Sequence, residues 1–172
     1  LITTLCIFFN ACHNSNTAPQ LQLADSLIDK RADSALCILE KLSIEEISNK
    51  SAKAMYALLL TEALDKNFKS HRNDSLILIA VDYYKDNSNN KLKTKAYYYL
   101  GRVYQDNKEY IKATEAYLTA LKTASPNQAP ILQIYNNLAL CYESQEFYLP
   151  AIKTYKESYA TAEKMQDKYG IL

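Results

Sequence analysis

Within residues 94–126 the apolar positions recur at helical spacing in two consecutive stretches. Tyr97, Leu100, Gly101 and Tyr104 share one face of the first, and Tyr110, Ala113, Tyr117, Ala120 and Leu121 share one face of the second. The polar run Asp106-Asn107-Lys108 between them predicts a tight turn. Ser125-Pro126 predicts the end of the second helix, since proline cannot continue one. The pattern then returns 38 positions on: Tyr97, Leu100, Tyr104, Tyr110, Ala113 and Tyr117 reappear as Tyr135, Leu138, Tyr142, Tyr148, Ala151 and Tyr155. Gly101 becomes Ala139, also small. Identity confined to inward positions at a fixed period predicts a repeat of helical hairpins. The small residues Gly101, Ala113, Ala120, Ala139 and Ala151 fall where two helices must approach, and the aromatics fill the space between hairpins.

Upstream the same kind of pattern is looser. Residues 51–66 and 74–86 predict a third, divergent hairpin, with Tyr56 standing where Tyr97 stands and Asn73 or Asp74 as the cap of its second helix. Residues 21–30 and 33–42 predict a short irregular pair, its second helix capped by Asp33 or Ser34, and residues 43–50 a turn. The expectation is an all-α, right-handed solenoid of about four antiparallel hairpins over residues 21–172. The last helix carries Ile152, Tyr155, Tyr159, Ala162 and Met165, more than one neighbour covers. Its outer face is therefore expected to be unfinished and the chain to be a piece of a longer protein.

The repeat resembles the tetratricopeptide repeat (TPR) family. Residues 94–126 carry that family's pattern at Tyr97, Leu100, Gly101, Tyr104, Ala113, Tyr117 and Ala120, with the closing proline displaced by one, to Pro126. The second copy departs at Ala139 and Ser158 and is lengthened by residues 127–131. The resemblance implies a protein or peptide partner in a concave groove lined by the first helix of each pair. Its groove positions are Lys95, Tyr98, Arg102, Gln105 and Asp106 in one repeat, and Gln133, Asn136, Leu140, Glu143 and Ser144 in the next. Tyr98, Arg102 and Asn136 are the favoured ligand contacts, as an aromatic platform, a donor fork and an amide, with Lys95 and Gln133 beside them. Arg102 and Asn136 resemble part of the family's carboxylate clamp. Tyr98 and Leu140 replace its remaining polar positions, which disfavours chaperone tails. Of Tyr97, Tyr98 and Tyr99, the alternative reading makes one ring core and the others half-exposed packing.

Composition narrows the class. Two glycines and four prolines in 172 residues leave little room for a hairpin-rich β fold. A net charge of +1 gives no reason to expect nucleic acid. Residues 1–11 are apolar and uncharged, the first Lys or Arg being Lys30, and too few to span a bilayer. They read as the apolar region of a signal peptide whose start is missing. Phe9-Asn10-Ala11-Cys12 resembles a bacterial lipobox, which implies lipidation of Cys12 and a lipid-anchored, periplasm-facing or outer-membrane location; a plain secretory signal and an uncleaved anchor are the alternatives. Residues 13–20 read as a tether. Residues 60–104 resemble the periplasmic TPR regions of Bacteroidetes membrane regulators, so the chain is expected to be a binding scaffold on the cell envelope, the sensor part of such a regulator. The alternative is a nutrient-binding lipoprotein of the starch-binding kind, whose long insertions have no counterpart in the pattern.

Catalytic chemistry finds no foothold. Gly101 and Gly170 cannot make a phosphate-binding loop, and His13 and His71 stand alone, without a zinc-ligand spacing or a triad partner. His71 is expected to be solvated in a polar loop. Cys37 and Cys141 are expected to be buried free thiols. No enzyme activity, cofactor or metal is expected.

Overall fold

The computed structural model describes residues 17–71, 73–125 and 130–169. All regular structure among them is helical: α1 (Thr17–Leu27), α2 (Ala32–Leu39), α3 (Lys50–Lys66), α4 (Ser75–Tyr84), α5 (Asn90–Asp106), α6 (Tyr110–Thr123), α7 (Ile131–Ser144) and α8 (Tyr148–Tyr169). They pair in order as four antiparallel hairpins. The odd-numbered helices touch one another in series, α1 to α3 to α5 to α7, whereas the even-numbered helices do not touch one another. Helices that meet on one side and splay on the other bend the stack, so α1, α3, α5 and α7 line its inner face. The result is the expected all-α solenoid of four antiparallel hairpins.

The same turn closes three of the hairpins. At the ends of α3, α5 and α7 one residue sits in the left-handed region, Phe68, Lys108 and Glu146. The next backbone N–H reaches back five residues: Lys69 N to Leu64 O at 2.9 Å, Glu109 N to Tyr104 O at 2.8 Å, and Phe147 N to Tyr142 O at 2.8 Å. This is a Schellman cap, which satisfies carbonyls that the helix end leaves open. None of the three is glycine, so each turn carries a cost of about 1–2 kcal/mol for a left-handed non-glycine residue. The shared turn fixes the register of α3 against α5 at 40 residues. Tyr97 then aligns with Ala57, not with Tyr56. Tyr56 lies one position off, buried toward the first hairpin with its hydroxyl donating to Leu42 O at 3.3 Å.

Two clusters of buried side chains fill the stack. One joins α1, α2 and α3 through Leu21, Ile28, Leu36, Leu39, Ile47 and Leu59. The other runs from α3 to α7 through Leu58, Ile77, Tyr84, Tyr99, Val103, Tyr117, Ile134 and Leu138. Leu58 and Leu59 are sequence neighbours serving different clusters, which is why residues 54–60 are apolar without a polar stripe.

Several local expectations change. Helix α1 already includes Thr17, so the expected tether is helical over its last four residues; proline is tolerated in a first turn, as Pro19 is here. Helix α2 starts at Ala32, which puts Asp33 and Ser34 inside its first turn, and no side chain caps it. Asp74 holds the N-cap position of α4 without a side-chain hydrogen bond, while Asn73 before it accepts from Ser75 N at 3.0 Å. Asn49 and Asn89 are the N-caps of α3 and α5, accepting from Ala52 N and Leu92 N. Helix α6 ends at Thr123 with Ala124 already extended, before Pro126, which lies outside the described residues. Cys37 is exposed: among the described residues no element covers that side of two-turn α2. Cys141 is buried as expected, and burial pushes its thiol up to about 11.

Candidate functional site

The inner face is built from α3, α5 and α7, and its floor is an ion-pair network. Glu62 of α3 is buried, with Lys95 Nζ 2.5 Å from one carboxylate oxygen and Lys66 Nζ 3.6 Å from the other. The oxygen facing Lys95 makes no hydrogen bond of good geometry, so this contact holds as a charge pair. Lys66 also reaches Asp29 of the first hairpin at 2.6 Å, and that hydrogen bond draws the Asp29 carboxyl below its ordinary range. Further along, Arg102 Nε donates to Asp65 Oδ1 at 2.8 Å, and Arg102 Nη2 lies 3.8 Å from Asp106 Oδ1. Burial works against the Arg102 charge, but Asp65 more than offsets it and holds the guanidinium firmly protonated. His71 completes the row from the α3–α4 connection, with Nδ1 2.7 Å from Asp106 Oδ2 and Nε2 3.3 Å from Thr61 O.

His71 is therefore buried and ties two hairpins together, contrary to the solvated loop residue expected. Its partner Asp106 is 35 residues away, and no local pattern announces such a contact. Asp65, His71 and Asp106 each bring one potential ligand atom within 4.8 Å of the others. Arg102 bonds Asp65 and lies 3.8 Å from Asp106, so both carboxylates already have a protein cation beside them.

The expected ligand residues divide into three situations. Lys95 and Arg102 lie on the inner face, half-buried and committed to Glu62, Asp65 and Asp106. Tyr98 is buried, not displayed as a platform: its ring lies 6.1 Å from that of Tyr117, and its hydroxyl accepts from Asn137 Nδ2 at 3.4 Å. Burial raises its phenol to about 12. Tyr99 is buried beside it and Tyr97 is half-exposed, so the triple serves packing, with two rings in the core where the alternative reading expected one. Gln133 and Asn136 are exposed on α7, with Leu140 and Glu143 following them. Asn136 Oδ1 accepts from Ser158 Oγ of α8 at 3.0 Å, which fixes its amide. Gln105 accepts from the Tyr117 hydroxyl at 2.7 Å.

Sequence reasoning missed the α3 contribution. With the register set by the shared turn, Glu62, Asp65 and Lys66 are the α3 counterparts of Arg102, Gln105 and Asp106. The signal was present as a 40-residue offset, but α3 lacks the aromatic and Leu-Gly marks that fix the offset by eye. Together Glu62, Asp65 and Asp106 balance Lys66, Lys95 and Arg102. The floor is a stiff, mutually neutralised surface rather than a basic one, and exerts no long-range pull on an acidic chain end.

Comparison with known proteins agrees with this geometry. The tetratricopeptide-repeat family model matches residues 93–164, the span of α5 to α8. Among curated proteins none matches the chain in sequence. Among solved structures, a crystal structure of MamA superposes with a TM-score of 0.65 at 22% identity, over 88% of this chain and 81% of that one. A second MamA structure gives 0.64 at 22% identity, over 91% and 78%, and the MamA RS-1 ArsTM double mutant gives 0.62 at 13% identity, over 90% and 80%. At these identities the likeness concerns the fold.

Proposed function

We propose that this chain, whose residues 93–164 match the tetratricopeptide-repeat family model, is a protein-interaction scaffold that binds a protein or peptide partner along its inner face, at the α7 end. The observation that carries this reading is the contrast along that face: α3 and α5 present a rigid ion-paired floor, while α7 offers Gln133, Asn136, Leu140 and Glu143 exposed beside it. Amide and aliphatic side chains on a preorganised wall suit a peptide backbone and small apolar side chains, at low ordering cost. The neutral floor disfavours a partner chosen by net charge. No group in the site is poised for bond making, so the reading is non-catalytic.

The test is a photo-cross-linker placed singly at Gln133 or Asn136, and at exposed Ile111 of outer helix α6 as the control, in cells that express the full-length gene. A discrete adduct from the α7 positions and none from position 111 is expected. Equal adducts from both sides would sink the inner-face reading.

The envelope placement belongs to the same proposal: a lipid anchor at Cys12, and the role of sensor in a membrane regulator. It rests on the apolar run of residues 1–11 and the lipobox-like Phe9-Asn10-Ala11-Cys12, which lie outside the described residues. Labelling with a fatty-acid analogue is expected for the native chain and lost in Cys12→Ala, expressed from the gene's natural start. Equal labelling of the two would reject the anchor.

A further inference from the structure

We propose that the groove between outer helices α6 and α8 binds a partner peptide, which lays a lysine or arginine side chain across the Tyr142 ring. The groove has a volume of about 470 Å³. Leu118 and Leu121 of α6 form one wall, Leu149 and Pro150 of α8 the other, and Leu138 and Tyr142 of α7 the floor. Helices α6 and α8 do not touch, so the space between them stays open. All three sides belong to the two clear hairpins rather than to an end of the chain. A following hairpin does not close this side of the stack. Ile111, the α6 counterpart of Leu149, is 69% exposed although α7 and α8 follow it.

The preceding repeat shows what such a groove takes. There Tyr104 stands for Tyr142, Lys112 for Pro150 and Glu109 for Phe147. Lys112 Nζ lies 5.2 Å from the centroid of the Tyr104 ring, a cation–π contact, and pairs with Glu109. The Tyr104 hydroxyl donates to Asp74 Oδ2 at 3.0 Å. Ring face and hydroxyl are both satisfied from within the chain. In the second repeat proline replaces the lysine, and phenylalanine replaces its acidic partner. Among the described residues no cation lies over the half-buried Tyr142 ring, and no group hydrogen-bonds its hydroxyl. What is missing there is a long aliphatic stem that ends in a positive charge. Leu138, Leu149 and Pro150 offer that stem an apolar bed, as basic side chains require. Leu118 and Leu121 then take an aliphatic neighbour from the same peptide. Lys153 and Glu157, further along the α8 wall, offset one another. The groove therefore has no net charge of its own, and it selects a basic side chain through the ring rather than through a long-range field.

The test uses displayed random peptides, selected on the native full chain after depletion on the Pro150→Lys chain. That variant restores the lysine of the preceding repeat and fills the groove from within. Pro150 is exposed, so its helical circular dichroism spectrum should be unchanged. Depletion removes peptides held elsewhere, the inner face included. The peptides that survive are expected to share a lysine or arginine beside an aliphatic residue. Replacing that basic residue by glutamine should weaken binding by about tenfold, within the range of a cation–π contact. Tyr142→Leu should cost as much, and Tyr142→Phe, which keeps the ring, much less. On the Tyr142→Leu chain the glutamine replacement should cost nothing further. Failure to enrich any peptide, enrichment without a shared basic residue, or equal losses from the glutamine replacement on the native and Tyr142→Leu chains would each overturn the proposal.

Discussion

Hairpins α5/α6 and α7/α8 carry the same marks 38 residues apart, yet those marks do different physical work. Tyr117 is fully buried and its hydroxyl donates to Gln105 at 2.7 Å. Tyr155 makes the counterpart bond to Glu143 at 3.3 Å while 36% exposed. Tyr98 is sealed under α7, whereas its counterpart Asn136 faces solvent. The difference lies in the neighbour. A repeat supplies half of each interface, so a residue's burial is decided by the next hairpin as much as by its own. The comparison also explains why Ala139 stands where Gly101 stands. A Cβ at Gly101 would lie 2.4 Å from Tyr117 Cε1 and 2.6 Å from Cδ1. Tyr117 is walled in and hydrogen-bonded, so it cannot give way. Tyr155 has open solvent beside it, and Ala139 is accommodated opposite.

The largest expected effect follows directly. Gly101→Leu should unfold the central hairpin or cost more than about 3 kcal/mol, the upper range for overpacking a tight core. Gly101→Ala should cost about 1–3 kcal/mol even though alanine is the better helix former by about 1 kcal/mol. Ala139→Leu should cost less than Gly101→Leu. Thermal melts of the three variants check the order. Equal losses at positions 101 and 139 would mean that the neighbour does not set the tolerance.

A second effect separates the two regions by pH. Burial raises Tyr98 to about 12, and raises Tyr99 and Tyr117 further in the same direction. These phenols stay neutral in the fold but ionise near pH 10 once unfolded. A group whose folded pKa is raised contributes stability that is complete below its unfolded pKa and disappears as pH climbs through the folded one. The chain should therefore lose stability between pH 10 and 12, with Tyr98 alone accounting for on the order of 2–3 kcal/mol at the upper end. Absorbance at 295 nm should show the exposed tyrosines titrating first and the buried ones only together with loss of helical signal. A single smooth titration of every tyrosine, with the helices intact, would contradict this packing.

Much of the architecture was legible because it depends on local periodicity. The two clear hairpins, the polar turn at residues 106–108 and the Gly101 crossing need only positions within a few helical turns. Long-range partners were not legible. Tyr98 occupies a groove position by resemblance, but its exposure depends on whether α7 packs over it. His71 reads as a loop residue until Asp106 is brought to it from α5. Tyr56 misled the register of α3 because an aromatic one position off imitates the repeat, and with that error Glu62 and Asp65 were lost from the site. Cys37 was misplaced for the converse reason: an apolar helix face implies burial only where a neighbour exists to cover it. Of the expected ligand positions, Gln133 and Asn136 are exposed, while Lys95 and Arg102 are parts of the wall.

The finest expected difference concerns one atom in each hairpin. Tyr117→Phe removes a hydroxyl that donates to Gln105 in a part-buried setting. The Gln105 carbonyl oxygen would then depend on whatever water can reach it, and the loss should approach 1–1.5 kcal/mol, the upper part of the range of about 0.5–1.5 kcal/mol for a hydrogen bond. Tyr155→Phe removes the counterpart hydroxyl from an exposed, longer bond. Water replaces it at Glu143 without reorganising the helix pair, so the loss should stay below about 0.5 kcal/mol. Urea unfolding of the two variants, compared at equal m-value, measures the gap. If Tyr155→Phe proves as costly as Tyr117→Phe in a sample shown to be monomeric, then α8 is covered within a single copy.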